Sequence, residues 1–315
     1  MSSTSRINFF IVGAAKGGTT TVFERLNNRT DVYLSPLKEP NYYSEDIDTQ
    51  RFSTEFKSNT LLDLSGYFAQ NPLPVRQIGF VRSESEYSQL FDPAPSEALV
   101  IGECSTSYLW SKAAPANIAE AHPGARILIM LRDPISRLYS HYMMARKYGF
   151  TSKPLIEAVK SDMNHPQKGW GSSELFVELG MYSEQIARYK ALFPEAQIKI
   201  MLTSDLRKPN SWSELLSWLA LPKENTPRDI KDKTQDANKA GLPRLESLNR
   251  FLTKSGFKKK LGKFIPSPIK KALVKWYYNS ESLPKITEEE RDFLYEIYKD
   301  ELVRLKSEHG ISFEL

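Results

Sequence analysis

The chain has 315 residues, a formal net charge of +5, 26% charged and 40% hydrophobic residues, enough to bury a substantial core as one large or two small domains. No low-complexity tract, internal repeat or apolar run near the ~20 residues of a bilayer span is present, and the single cysteine, Cys104, excludes an intrachain disulfide. The opening Met-Ser-Ser-Thr-Ser-Arg leads directly into an apolar segment, so no signal peptide is expected and the reading is of a cytoplasmic protein.

Residues 9–12 (Phe-Phe-Ile-Val) read as a buried strand. They give way to Gly13-Ala-Ala-Lys-Gly-Gly18 and then to a helical pattern that opens on Thr19, Thr20 and Thr21. A strand, a small-residue turn and a helix N-terminus form an anion site, because free N–H groups and the helix dipole point at its occupant. Lys16 adds a full charge and the threonines add hydroxyls, which marks a phosphate-binding loop. The helix over 19–28 carries Val22, Phe23 and Leu26 on one face, and 32–34 is a short second strand.

The next segment, 35–44, contains Glu39 between Lys38 and Pro40. The usual parallel crossover delivers it to the end of the sheet that carries the first loop. Taken alone, Glu39 reads either as a surface carboxylate or as a proton acceptor beside the phosphate site. Residues 45–97 are polar and proline-punctuated, with a short helix over 84–91, and are expected to lie over the active face rather than to form a core layer. A strand over 99–102 then ends in Glu103-Cys-Ser-Thr-Ser-Tyr108, at the carboxyl edge where open α/β sheets bind ligands. Cys104 reads as a packed strand-end residue.

The apolar run 127–131 has the character of a central parallel strand. Asp133 is placed to cap the next helix, with Pro134 at its first position. Arg132 stands at the strand end and Ser140 two helical turns on, so the two can make a second anion site, since an arginine fork suits a phosphate. His141 reads as a surface or packing histidine, and no pair of the four histidines has metal spacing. A helix over 181–192, a strand over 197–202, a helix over 212–219 and a loop over 222–239 follow. A capping box at Thr287–Glu290 opens a last helix to about residue 307.

Between Glu246 and Glu281 there is no acid, while eight lysines from Lys254 to Lys275 fall inside. That block suits an acidic polymer, a phosphorylated cofactor or a membrane surface, or is a solvated face. Strands alternate with helices up to about 220, and helices dominate afterwards. This order predicts a three-layer α/β/α fold with a central parallel sheet, as a single domain over 1–315 with a helical, Lys-rich part from about 240.

A P-loop kinase is the first reading of such a loop, but position 19 is Thr and the loop lysine is Lys16, so the G-x-x-x-x-G-K-[ST] match is partial. Lys16-Gly-Gly-Thr-Thr instead resembles the 5′-phosphosulfate loop of the sulfotransferases that use 3′-phosphoadenosine 5′-phosphosulfate (PAPS). Leu131-Arg-Asp-Pro-Ile-Ser-Arg-Leu-Tyr-Ser140 resembles their 3′-phosphate motif, and Lys38-Glu-Pro-Asn-Tyr-Tyr-Ser44 the segment with the catalytic glutamate of the carbohydrate branch, which includes heparan sulfate sulfotransferases. The likeness runs from 7 to about 205. It implies the P-loop-like sulfotransferase fold, with Lys16, Gly17, Gly18, Thr19 and Thr20 on the 5′-phosphate and Lys16 also catalytic. It implies Glu39 as general base, Arg132 and Ser140 on the 3′-phosphate with Lys239 and Arg244 as late additions, and PAPS as co-substrate.

No metal and no nucleic-acid partner are expected; the acceptor is a carbohydrate or another hydroxylated compound. The absence of the catalytic histidine of small-molecule sulfotransferases favours the glutamate branch, and a bacterial, cytoplasmic relative is the expectation, with peripheral anionic contact through the Lys-rich part. The competing readings are an ATP-dependent kinase and a non-catalytic nucleotide- or polyanion-binding module.

Overall fold

A computed structural model describes residues 3–223, 242–243, 249–250, 253, 278–279 and 284–313. Strands β1 (Phe9–Gly13), β2 (Val32–Leu34), β5 (Val100–Cys104), β6 (Arg126–Leu131) and β7 (Ile198–Leu202) make one parallel sheet in the order β2-β5-β1-β6-β7. The short β3 (Leu37–Lys38) and β4 (Arg76–Gln77) pair separately. The chain leaves β1 through helix α1 (Thr19–Asn27) toward β2 on one side and returns on the other side at β6. The loop after β1 therefore sits where the strand order reverses, the position at which open α/β sheets leave a crevice.

Strand alternation sends neighbouring side chains to opposite faces, and two cores result. Phe10, Val12, Ile127, Ile129 and Leu131 face one layer with Tyr182, Ile186 and Tyr189 of α9 (Tyr182–Lys190). Phe9, Ile11, Leu128 and Met130 face the other, with Val22, Phe23 and Leu26 of α1 and Leu215, Leu216 and Leu219 at α10 (Ser211–Trp218). Phe9 and Phe10 are both fully buried, and truncating either to Ala removes ~3–5 kcal/mol of packing. The three-layer expectation holds. Beyond the sheet edge, α7 (Pro134–Tyr148) packs with α8 (Leu155–Met163) and with the last helix, α11 (Glu288–His309).

The helix starts follow the local chemistry. Asp133 accepts from the N–H groups of Ile135 and Ser136, and Thr287 and Glu290 form the expected capping box. The segment 45–97 departs from the sequence reading. Tyr67, Val81, Tyr87, Leu90 and Phe91 are buried in the same cluster as Phe10, so the segment is part of the core as well as a cover. Its helices α2 (Thr54–Asn59), α3 (Leu64–Phe68) and α4 (Glu84–Gln89) have only five or six residues, too short for a periodic apolar face to be read. Helices α5 (Ser107–Trp110) and α6 (Ala114–Ala121) complete the layer. The loop 222–239 for the most part, Lys239, Arg244 and the lysine block lie outside the described residues.

Candidate active site

The loop between β1 and α1 is held from three sides. Ala14 N–H donates to Met130 O on β6 (2.6 Å), Gly17 N–H to Ala14 O (2.9 Å), and Thr203 Oγ1 beyond β7 donates to Gly17 O (2.7 Å). A Cβ at Gly17 would stand 2.4 Å from Met130 O, and Gly18 has φ +93°, so both positions require glycine. Gly18 precedes α1 with no side-chain cap, which leaves the helix N-terminus free to meet an anion. Thr19 is buried and Thr20 half-buried on the first turn.

Lys16, in a left-handed conformation (φ 67°), reaches the face of α7 that carries Ser140, its Nζ lying 3.7 Å from Met144 Sδ one turn beyond. Burial lowers its pKa, and the charges of Arg132 and Lys147 add to the effect. Arg132, at the carboxyl end of β6, is likewise pulled down by burial, with its backbone carbonyl bound by Tyr182 OH (3.1 Å). Among the described residues neither Lys16 nor Arg132 has a carboxylate at ion-pair distance. Two half-buried cations, with Arg132 depressing Lys16 and itself depressed by burial, Arg137 and Arg207, form a field that an anion would relieve. Asp133 is committed to capping α7, as read from the sequence.

Glu39 is buried on the loop after β3, and its carboxylate charge acts on Lys16 in the raising sense, against the effect of burial. Its Oε1 lies 3.0 Å from Lys38 Nζ, and its Oε2 accepts from Thr106 Oγ1 (3.2 Å). Lys38 is slightly more buried; burial alone would lower its pKa, but the Glu39 carboxylate overcomes this and raises it. The two lysines are thus tuned oppositely, one committed to a carboxylate and one free for a ligand. The loop itself is unusual, with φ 63° at Glu39 and 53° at Asn41 on either side of Pro40.

The structure thus brings together Lys16, Gly17, Gly18, Thr19, Thr20, Glu39, Arg132 and the Ser140 face of α7; Lys239 and Arg244 fall outside the described residues. His141 is buried against Phe176, with Arg137 beside one ring nitrogen and Glu174 3.6 Å from the other. Burial, then the Arg137 and Lys16 charges, keep it neutral. Cys104 is fully buried, its thiol pushed up to about 12 by burial.

The model of the family described as "Sulfotransferase family" matches residues 8–173, just over half of the chain and the whole run from β1 past α7. The chain belongs to the sulfotransferase family. It is 28% identical over 156 residues to human carbohydrate sulfotransferase 15, a match covering 43% of this chain and 27% of that protein. The mouse protein of the same name matches at 28% over 158 residues, again with 27% of its length covered. The chain therefore corresponds to about a quarter of these curated relatives. Among solved structures, a sulfotransferase from Alicyclobacillus acidocaldarius superposes with a TM-score of 0.64 at 21% identity, covering 98% of this chain and 97% of that one, a likeness of fold.

In this sulfotransferase-family chain the sequence missed Lys38, Asn41, Thr106, Met144 and Lys147. Lys38 is adjacent to Glu39, and Ser105-Thr-Ser107 is a run of hydroxyls at a strand end, both of which were available signals. Met144 and Lys147 enter only through the docking of α7 on the loop. Among the described residues, no helix is long and apolar enough to cross a membrane, and no group of three or more His, Cys, Asp and Glu is placed to hold a metal ion.

Proposed function

We propose that the chain moves a sulfuryl group from PAPS to a hydroxyl, or an amine, of a carbohydrate or other hydroxylated acceptor. The observation that carries this reading is the pairing of a cationic, glycine-tight loop bearing Lys16 with a buried carboxylate, Glu39, close enough to feel its charge. The loop suits a compact phosphate: Gly17 and Gly18 let it pack tightly against β6 and Thr203, and the α1 N-terminus and Lys16 supply donors and charge. Thr19 and Thr20 stand on the first turn. Arg132 and Ser140 are assigned to the 3′-phosphate.

In the reaction the acceptor oxygen attacks sulfur in line and its proton passes to Glu39. The bond from sulfur to the bridging phosphate oxygen breaks, releasing adenosine 3′,5′-bisphosphate and the sulfated acceptor. Charge grows on that bridging oxygen as the bond lengthens, so Lys16 stabilises the transition state more than the ground state. Lys38 and Thr106 hold the Glu39 carboxylate in place.

The reading treats 1–315 as a single domain, adds Lys239 and Arg244 to the 3′-phosphate contacts, gives the lysine block a peripheral anionic role, and takes the setting as cytoplasmic. Calorimetric titration with adenosine 3′,5′-bisphosphate and with ADP, each with and without magnesium, tests it: preference for the bisphosphate is expected, whereas magnesium-dependent preference for ADP makes the protein a kinase. A transfer assay on Glu39→Ala completes the test. Loss of turnover with bisphosphate binding retained is expected; unchanged turnover removes Glu39 from its role.

A further inference from the structure

Five consecutive residues at the end of β5 each bond the loop that presents Glu39. Cys104 O accepts from Glu39 N–H (2.8 Å), Ser105 Oγ accepts from Asn41 N–H (3.0 Å), and Thr106 Oγ1 donates to Glu39 Oε2 (3.2 Å). Ser107 Oγ donates to Asn41 Oδ1 (2.5 Å), and Tyr108 OH accepts from Tyr43 N–H (3.2 Å). The Asn41 side chain closes the loop from within, donating to Glu39 O (2.7 Å) and Gly79 O (2.8 Å).

Behind this row stands Glu103, fully buried. Its Oε1 accepts from Tyr87 OH (2.7 Å) and Tyr108 OH (2.8 Å), and its Oε2 from Ser105 Oγ (2.6 Å). A hydroxyl has one proton to give. With the protons of Ser105 and Tyr108 directed at Glu103, their lone pairs are left facing the loop, where they take the N–H groups of Asn41 and Tyr43. Two left-handed non-glycine residues, Glu39 and Asn41, persist only where surrounding bonds over-determine them.

Resting on the sulfotransferase reading above, we infer that Glu103 is a positioning residue: through Ser105 and Tyr108 it fixes the strained loop and so aims the Glu39 carboxylate at the acceptor. Nothing in the proposed chemistry touches Glu103. It acts by setting the direction of two hydroxyls.

The three hydroxyl partners allow the role to be separated from plain stability. Tyr87→Phe removes a Glu103 bond while keeping the ring that packs on Tyr42 and Tyr43 and taking no backbone anchor from the loop. Ser105→Ala and Tyr108→Phe, by contrast, each remove a Glu103 bond together with a backbone anchor of the loop. Two readouts are taken on the full chain: steady-state sulfate transfer, and amide exchange of the peptide spanning 37–44. Positioning predicts kcat lower by ten-fold or more in Ser105→Ala and Tyr108→Phe, since a misplacement near 1 Å is worth up to ~100-fold. KM for PAPS and bisphosphate affinity stay within two-fold, and exchange at Asn41 and Tyr43 accelerates. Tyr87→Phe changes kcat less than two-fold at a similar loss of melting temperature.

If all three variants lose activity in proportion to melting temperature, or if exchange over 37–44 is unchanged in Ser105→Ala and Tyr108→Phe, the inference is overturned. Exchange reads the loop whether or not sulfate is transferred. A parent without transfer therefore counts against the proposed function alone, and the exchange result still decides the role of Glu103.

Discussion

The Lys38–Glu39 pair permits a quantitative test, because both partners are buried and in contact, with side-chain exposures of 8% and 10% and an Nζ–Oε1 distance of 3.0 Å. At that separation and an effective dielectric near 20, the attraction is about 5 kcal/mol. Desolvation of two charges offsets most of it, so the pair as a whole contributes little net stability. Removing one partner is different, because it leaves an uncompensated buried charge. Lys38→Met is expected to destabilise the fold by ~3–5 kcal/mol and Glu39→Gln by a similar amount, whereas the double variant, with no buried charge at this point, loses only ~1–2 kcal/mol. The assay is a double-mutant cycle by denaturant unfolding of the four proteins, followed by fluorescence and by far-UV circular dichroism. A coupling of at least ~2 kcal/mol is expected. Single effects that add to within 0.5 kcal/mol would falsify the claim that these two charges are buried as a pair.

Further outcomes follow from the same geometry. Gly17→Ala is expected to weaken bisphosphate binding by at least ten-fold, since its Cβ would meet Met130 O at 2.4 Å, while Gly124→Ala, with nothing within 4 Å, is neutral; equal affinities in the two variants refute the tight-loop argument. Arg132→Ala should lower affinity for adenosine 3′,5′-bisphosphate by ten-fold or more yet leave AMP within two-fold, and an equal loss for both nucleotides would move Arg132 off the 3′-phosphate. For pH, burial pushes Glu103 up to about 7 and Glu174 up to about 8, so the folded state keeps protons that the unfolded chain has released. Stability then falls as pH rises from 6.5 to 8.5, by roughly 3 kcal/mol. His122, lowered to about 4 by burial, and His141, also lowered chiefly by burial, act in the opposite sense as pH falls below 6.5. The glutamates lose stability from about pH 4.5 upward and the histidines gain it up to about pH 6.5, so the melting temperature is expected to be highest at about pH 5 to 6 and to fall above that. A steady rise through about pH 8.5 would contradict the desolvation of the two glutamates.

The phosphate loop could be read from the sequence because its parts are contiguous: an apolar run, small residues, a lysine and a helix start within fourteen positions of Phe9. Asp133 and Pro134 were legible for the same reason, as was each central strand. Without the family resemblance Glu39 was visible only as a carboxylate between a lysine and a proline, because its surroundings come from residues more than sixty positions away, as with Thr106. Glu103 was placed at the ligand-binding edge of the sheet but given no role, since the phenols of Tyr87 and Tyr108 that surround it are recruited by tertiary packing. The core contribution of 45–97 was missed because α2, α3 and α4 are too short to display a period. His141 was read as surface or packing and is packed, its burial set by Phe176.

The row of bonds between 104–108 and 39–43 also bears on when the site comes into being. The anchors join positions 64 to 67 residues apart, as in Asn41 to Ser105 and Glu39 to Thr106. A growing chain that has emerged only as far as β4 can already form the phosphate loop's local turn, but the five anchors from 104–108 that hold the left-handed residues at 39 and 41 are then still missing. The Glu39 loop is thus completed by the arrival of β5, whereas the loop after β1 still waits for Met130 of β6 and for Thr203 beyond β7. During synthesis the Glu39 loop therefore gains its anchors before the loop that is to hold the nucleotide.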